Sequence, residues 1–153
     1  MQRSEIEPMC LACAVFNPFQ TEGNWLHESS LENALAITES TDAAGNTSTS
    51  YTMAPGDSFS GALTFDNDWD WVRVNMTAGV TYTFTMTAGS MQDPYLYLFD
   101  GSGSFLTSND DFSGLNSQIS YTPTSSGTFY IAADSYYNSS GYTGTFVIPA
   151  PIP

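Results

Sequence analysis

Asp66, Asp68 and Asp70 alternate through the stretch DNDWDWVRV, residues 66–74, and the last of them leads into Trp71, Val72 and Val74. Closely set carboxylates are the chemistry calcium selects. The ion takes six to eight hard oxygens at roughly 2.3–2.6 Å from carboxylates, Asn side chains and backbone carbonyls. If the stretch is extended, alternate residues share a face and the three carboxylates converge. Without a cation such groups repel and raise one another's pKa. The competing arrangement is three solvated turn residues that cap the backbone through Asx bonds. The same D-x-D-x-D spacing opens an EF-hand loop, but Trp71 stands where that loop requires Gly and Thr77 where it requires Glu. An EF-hand is therefore excluded.

Other constellations carry less. Asn109, Asp110 and Asp111 form a second acidic loop, and Asp93 and Asp100 bracket the apolar run YLYLF, residues 95–99. Each reads first as a turn aspartate, with a second cation in the 109–111 loop as the alternative. Cys10 and Cys13 make a lone C-x-x-C, and with His27 they fall short of the roughly four ligands a structural zinc needs. They are either buried thiols or a disulfide, within the chain or between chains. There is no H-E-x-x-H, and a Ser-His-Asp triad would have to use His27, far from the strand-rich part of the chain. The acids sit in turns or near the start and form no cleft pattern, so no enzyme is expected. The segment DSYYNSSGY, residues 134–142, offers Tyr136, Tyr137 and Tyr142 as an exposed aromatic contact surface, whereas Trp69 and Trp71 read as packing residues.

Charge narrows the partners. Two basic residues, both Arg, face sixteen acidic ones, for a net charge of −14 over 153 residues. A polyanion would be repelled, because no basic patch exists to release its counterions, and an anionic membrane surface is disfavoured for the same reason. Metal cations, cationic partners and solubility in salt remain. A surface of Ser, Thr, Asn and Gly without Lys points outside the cell. No stretch approaches the ~18 apolar residues of a membrane span. The longest apolar run, MCLACAVF, follows the acidic SEIEP and lacks the cationic start of a secretory signal.

The elements that must position these residues follow from periodicity. Residues 1–40 form a leader: an apolar segment over 9–20, then a short helix over 29–37 with Ser29 and Glu32 as a capping box. From there the period is two. In VTYTFTMT, residues 80–87, Val80, Tyr82, Phe84 and Met86 face one side and threonines the other. Val72, Val74 and Met76 point inward from 71–76, and 95–99 is apolar on both faces, as in a central strand. Further strands are predicted near 48–53, 58–64, 117–122, 128–133 and 144–148, separated by Gly and Asp/Asn turns. About eight such strands make an all-β antiparallel jelly-roll or Greek-key sandwich over 41–149. Residues 150–153 are a Pro-rich tail that cannot continue a ladder.

The segments DWDWVRVNMTAGVTYTFTM, DPYLYLFDGSGSFLTSNDDFSG, NSQISYTPTSSGTFYIAA and GYTGTFVI, in that order, resemble the bacterial pre-peptidase C-terminal domain family over about residues 41–148. The resemblance implies a non-catalytic, jelly-roll-like sandwich appended to exported bacterial proteins. In members similar to the collagen-binding domains of clostridial collagenases it also implies a calcium site, built from a segment before the first strand and an acidic loop. The matching positions are Glu39, Asp42 and Asn46, then Asp68 and Asp70. The expected function is a calcium-loaded extracellular module with an accessory, adhesive or stabilising role. The alternative is a self-assembling filament subunit. In it residues 9–20 complete a sheet on the next molecule, as head-to-tail strand addition allows, and Cys10 and Cys13 lock neighbours together.

Overall fold

The computed structural model describes residues 34–137 and 142–151. In chain order the strands are β1 Ala36–Thr38, β2 Thr52–Met53, β3 Ser58–Leu63, β4 Asp70–Met76 and β5 Tyr82–Ala88. Then follow β6 Pro94–Asp100, β7 Phe105–Asn109, β8 Ser117–Tyr121, β9 Gly127–Ser135 and β10 Gly144–Pro149. They build two five-stranded sheets, ordered β1-β3-β10-β5-β8 and β2-β4-β9-β6-β7. The sandwich forms because alternation gives each sheet one apolar face. Phe59 on β3, Val72 on β4, Phe84 and Met86 on β5, Leu96 and Leu98 on β6, Ile131 on β9 and Phe146 and Ile148 on β10 interdigitate with almost no solvent exposure.

Three expectations need correction. The sheets are mixed, because β1 runs parallel to β3 and β2 parallel to β4. Both short strands come from the lead-in to the sandwich, which travels along one sheet, crosses and touches the other, and parallel pairing needs such a crossover. The helix expected over 29–37 is contradicted at its described end: Ala36 and Ile37 pair with Ser58 and Phe59 in β1. Residues 29–33, with the capping box, lie outside the described residues, as do the 9–20 segment, Cys10, Cys13 and His27. The third is β7, where only turns were read. The strand expected over 48–53 shrinks to β2, and Val80 packs against the core just ahead of β5.

The outer face of the second sheet is itself covered. Trp71 stacks on Phe99 at 4.1 Å between ring centres, and Trp69 lies 4.6 Å from Tyr97. The lead-in folds over this face. The Thr49 hydroxyl donates to the Trp71 carbonyl at 2.6 Å, and the Tyr130 hydroxyl donates to the Thr47 carbonyl at 3.3 Å. At the other end of the molecule, Asp57 accepts from the amides of Leu35 and Ala54 at 2.8 Å each, and its carbonyl takes the amide of Ala150. Ala150, in the tail by sequence, is buried.

Candidate metal centre

Asp70 opens β4 on the inward side, in register with Ala133 of β9. Its side chain has no solvent exposure, and neither carboxylate oxygen has a hydrogen-bond partner. The lead-in brings two more carboxylates to it. One oxygen each from Glu39, Asp42 and Asp70 lie within 4.8 Å of one another. Ligands at roughly 2.3–2.6 Å from a shared calcium cannot be further apart than about twice that distance, so the group fits the separation such an ion imposes.

Glu39 is held from both sides. Its Oε1 accepts from the Ala43 amide at 2.7 Å and its Oε2 from the Ala62 amide at 2.8 Å, so the carboxylate bridges the lead-in and β3. Gly61 leaves the room for it, since a Cβ there would stand 3.1 Å from Glu39 Oε2. Tyr51 holds the backbone before Asp42. Its hydroxyl accepts from the amides of Ser40 and Thr41 and donates to the Thr41 carbonyl at 2.8 Å. Asp42 itself is exposed, which leaves the group an approach from solvent.

The electrostatics are those of crowded acids. Burial, then the charges of Glu39, Asp68 and Asp42, push the Asp70 carboxyl up to about 9. The Ala43 amide lies near enough to favour the charged form, but its hydrogen is donated to Glu39. Asp68 is nearly fully buried and its pKa is raised by burial and by Asp42, against amide and hydroxyl bonds from Thr64. Asp134, also buried, is pushed up to about 7 by burial first; the Ser135 amide opposes this and Asp68 adds to it. Arg73 relieves none of it: its guanidinium lies 5.8 Å over the Tyr130 ring and 3.4 Å from the Thr49 carbonyl.

Not every residue named from the sequence joins the group. Asn67 has φ +62°, so residues 66–68 turn instead of extending, and Asp66 is left exposed beyond the three-carboxylate group. Asp68 faces Thr64 and acts on Asp70 through charge. Asn46 Oδ1 accepts from the Ser48 amide at 2.9 Å, a turn bond. In the second acidic loop, Asn109 Oδ1 accepts from the Gln118 amide and Asp110 Oδ1 from the Asp111 amide, each at 2.9 Å. That is the turn role. Tyr136 and Tyr137 are 52% and 56% exposed, and Tyr142 lies 4.4 Å from Tyr137. Sequence reasoning missed Asp134, which reads as one more polar residue at the end of a strand.

Residues 68–135 match the family model of the bacterial pre-peptidase C-terminal domain. The match spans β4 to β9 of the sandwich. The solved structure of the pre-peptidase C-terminal domain of collagenase from Bacillus anthracis superposes with a TM-score of 0.53 at 13% identity, over 65% of this chain and 92% of that one. The fold is thus shared. The periplasmic inhibitor of g-type lysozyme from Aeromonas hydrophila aligns at a TM-score of 0.39 and 14% identity, over 76% of this chain and 97% of that one. No curated protein matches the sequence. Pre-peptidase C-terminal domains are non-catalytic modules of secreted bacterial peptidases. The match begins at Asp68, so it includes Asp68 and Asp70, while Glu39 and Asp42 lie ahead of it.

Proposed function

We propose that this chain is a calcium-binding, non-catalytic module of an extracellular bacterial protein, with an accessory, adhesive or stabilising role. The ion would sit between Glu39, Asp42 and Asp70 and tie the lead-in to β4. One observation carries the reading: Asp70 is buried with both oxygens unpartnered and faces two further carboxylates. Burying an uncompensated carboxylate costs several kcal/mol, on the order of 3–5 where one partner of a buried pair is missing, and a divalent cation removes that cost. Calcium suits an all-oxygen donor set better than a thiophilic metal does. Carbonyls and water would supply the remaining ligands.

Calorimetric titration of chelator-stripped protein with calcium is the direct test. Binding accompanied by a rise in Tm supports the reading, with magnesium weaker because it dehydrates reluctantly and demands octahedral geometry. A flat titration and an unchanged Tm would sink it.

A second reading, the filament subunit, draws on one feature. β7 ends the second sheet, so its outer edge has no neighbouring strand among the described residues, and Phe105 on it is 58% exposed. An open edge invites strand addition. Light scattering on the full chain and on a chain lacking residues 1–20 tests it. Assemblies that vanish on deletion support self-complementation through 9–20, and a monomer in both cases rejects it.

A further inference from the structure

The start of β6, the end of β7 and the end of β9 meet at one end of the second sheet, where Pro94 pairs with Ser135 and Leu96 with Asn109. Acids and aromatic rings are interleaved there. The Asp93 carbonyl accepts the Tyr136 amide at 2.9 Å. The Ser117 hydroxyl reaches both the Pro94 carbonyl at 2.5 Å and the Asp110 carbonyl at 2.8 Å, which sets Asp93 beside the Asp110–Asp111 loop. The rings form a row: Tyr142 to Tyr137 at 4.4 Å, Tyr137 to Tyr136 at 4.9 Å and Tyr136 to Tyr95 at 6.2 Å between centres. Tyr136 and Tyr137 are more than half exposed, and in the connection from β7 to β8 Phe112 and Leu115 are exposed to 61% and 56%. No cationic side chain answers these groups among the described residues, since Arg73 is committed elsewhere.

We propose that this acidic, tyrosine-lined end is a docking surface for an extended polypeptide segment that carries arginines. The face of an aromatic ring is negative and attracts a cation. A guanidinium stacks flat on such a ring while its N–H groups reach a carboxylate, which an ammonium does less well. Rings in a row, with carboxylates alongside, ask for several cations spaced along one chain. Phe112 and Leu115 supply apolar contact for side-chain stems, which a small hydrated cation cannot use. The chain's net charge of −14 steers such a partner in. The surface shares no residue with the Glu39–Asp42–Asp70 group, although Asp70 pairs with Ala133 at the same end of the sheet, and the peptide titration is read independently of the calcium titration.

The test is fluorescence anisotropy of a labelled octapeptide of alternating arginine and glycine, with the full chain in calcium at near-physiological salt. Saturable binding is expected, with none for the glutamate–glycine peptide. The double variant Tyr136→Ser/Tyr137→Ser should weaken it on the order of ten-fold, and Asp111→Asn about three-fold, with circular dichroism melts unchanged. Asp100→Asn, at the far end of β6, should leave it unaltered. Four results would each overturn the proposal: no binding, a tyrosine variant that binds like the parent, an Asp100→Asn loss equal to that of Asp111→Asn, or displacement by spermidine at the peptide's own concentration.

Discussion

A carboxylic acid sealed in the fold, with no hydrogen bond to either oxygen, is best kept protonated unless a cation arrives, and Asp70 is in that position. Its folded pKa of about 9, and that of about 7 at Asp134, lie above the ordinary carboxylate value near 3.8. Between those limits the folded chain holds protons that the unfolded chain has released. The stability these two protonated acids contribute without a metal is therefore fully present below about pH 4 and is lost as pH rises toward 9. In chelator, Tm should fall steadily from pH 5 to pH 8. Asp70→Asn should flatten most of that slope and raise metal-free stability at pH 8 by on the order of 3 kcal/mol, while abolishing the Tm response to calcium. A stabilising change that destroys ligand response is the signature of a binding carboxylate, and a purely structural Asp70 would show only loss. Spacing in the sequence pointed to Asp70 but could not reveal its burial, because a residue at the lip of a strand reads equally as a solvated turn. Nor could it separate Asp66 from its neighbours, since the left-handed Asn67 that breaks the alternation is a property of the turn.

Strands with a one-sided environment announced themselves. On β5, Tyr82, Phe84 and Met86 are buried while the threonines between them face outward, as the alternation required. The edges were silent. β1 has three residues of which only Ile37 is half-buried, and no residue of β7 is fully buried. Such strands exist because a neighbour supplies the ladder, and their own propensity decides little. The lead-in that carries Glu39 and Asp42 is held the same way, by partners distant in sequence, so its mutants should act on the site more than on the core. Tyr51→Phe removes the hydroxyl that clamps Ser40 and Thr41. A lost hydrogen bond is worth about 1 kcal/mol, so calcium titration should show several-fold weaker binding, with little change in Tm. Gly61→Ala is the opposite case. Its Cβ would stand 2.7 Å from Phe146 Cζ and 2.9 Å from Phe59 Cε1 as well as against Glu39. Overpacking of that kind costs about 1–3 kcal/mol, so both Tm and ion affinity should drop, and thermal melts with and without calcium separate the two losses.

Across the whole molecule, the lead-in is laced to both sheets. Glu39 reaches Ala62 on β3, Thr49 reaches Trp71 on β4, and Tyr130 on β9 reaches Thr47. An ion between Glu39, Asp42 and Asp70 would add a cross-link where these connections meet. A ligand at a hundred times its Kd stabilises the fold by about 2.7 kcal/mol, which for a domain near 100 residues corresponds to roughly 10 °C in Tm. Chelation should cost about that much, and hydrogen exchange can say where it is lost. The amides of Ala43 and Ala62 on Glu39, and of Thr64 on Asp68, open only when the lead-in or the start of β4 opens. With calcium removed these should exchange faster by a larger factor than the amides of β5 and β9, which report global unfolding. Equal acceleration everywhere would mean that the ion holds the sandwich as one unit. No acceleration at Ala43 and Ala62, with Tm lowered all the same, would move the ion away from Glu39 altogether.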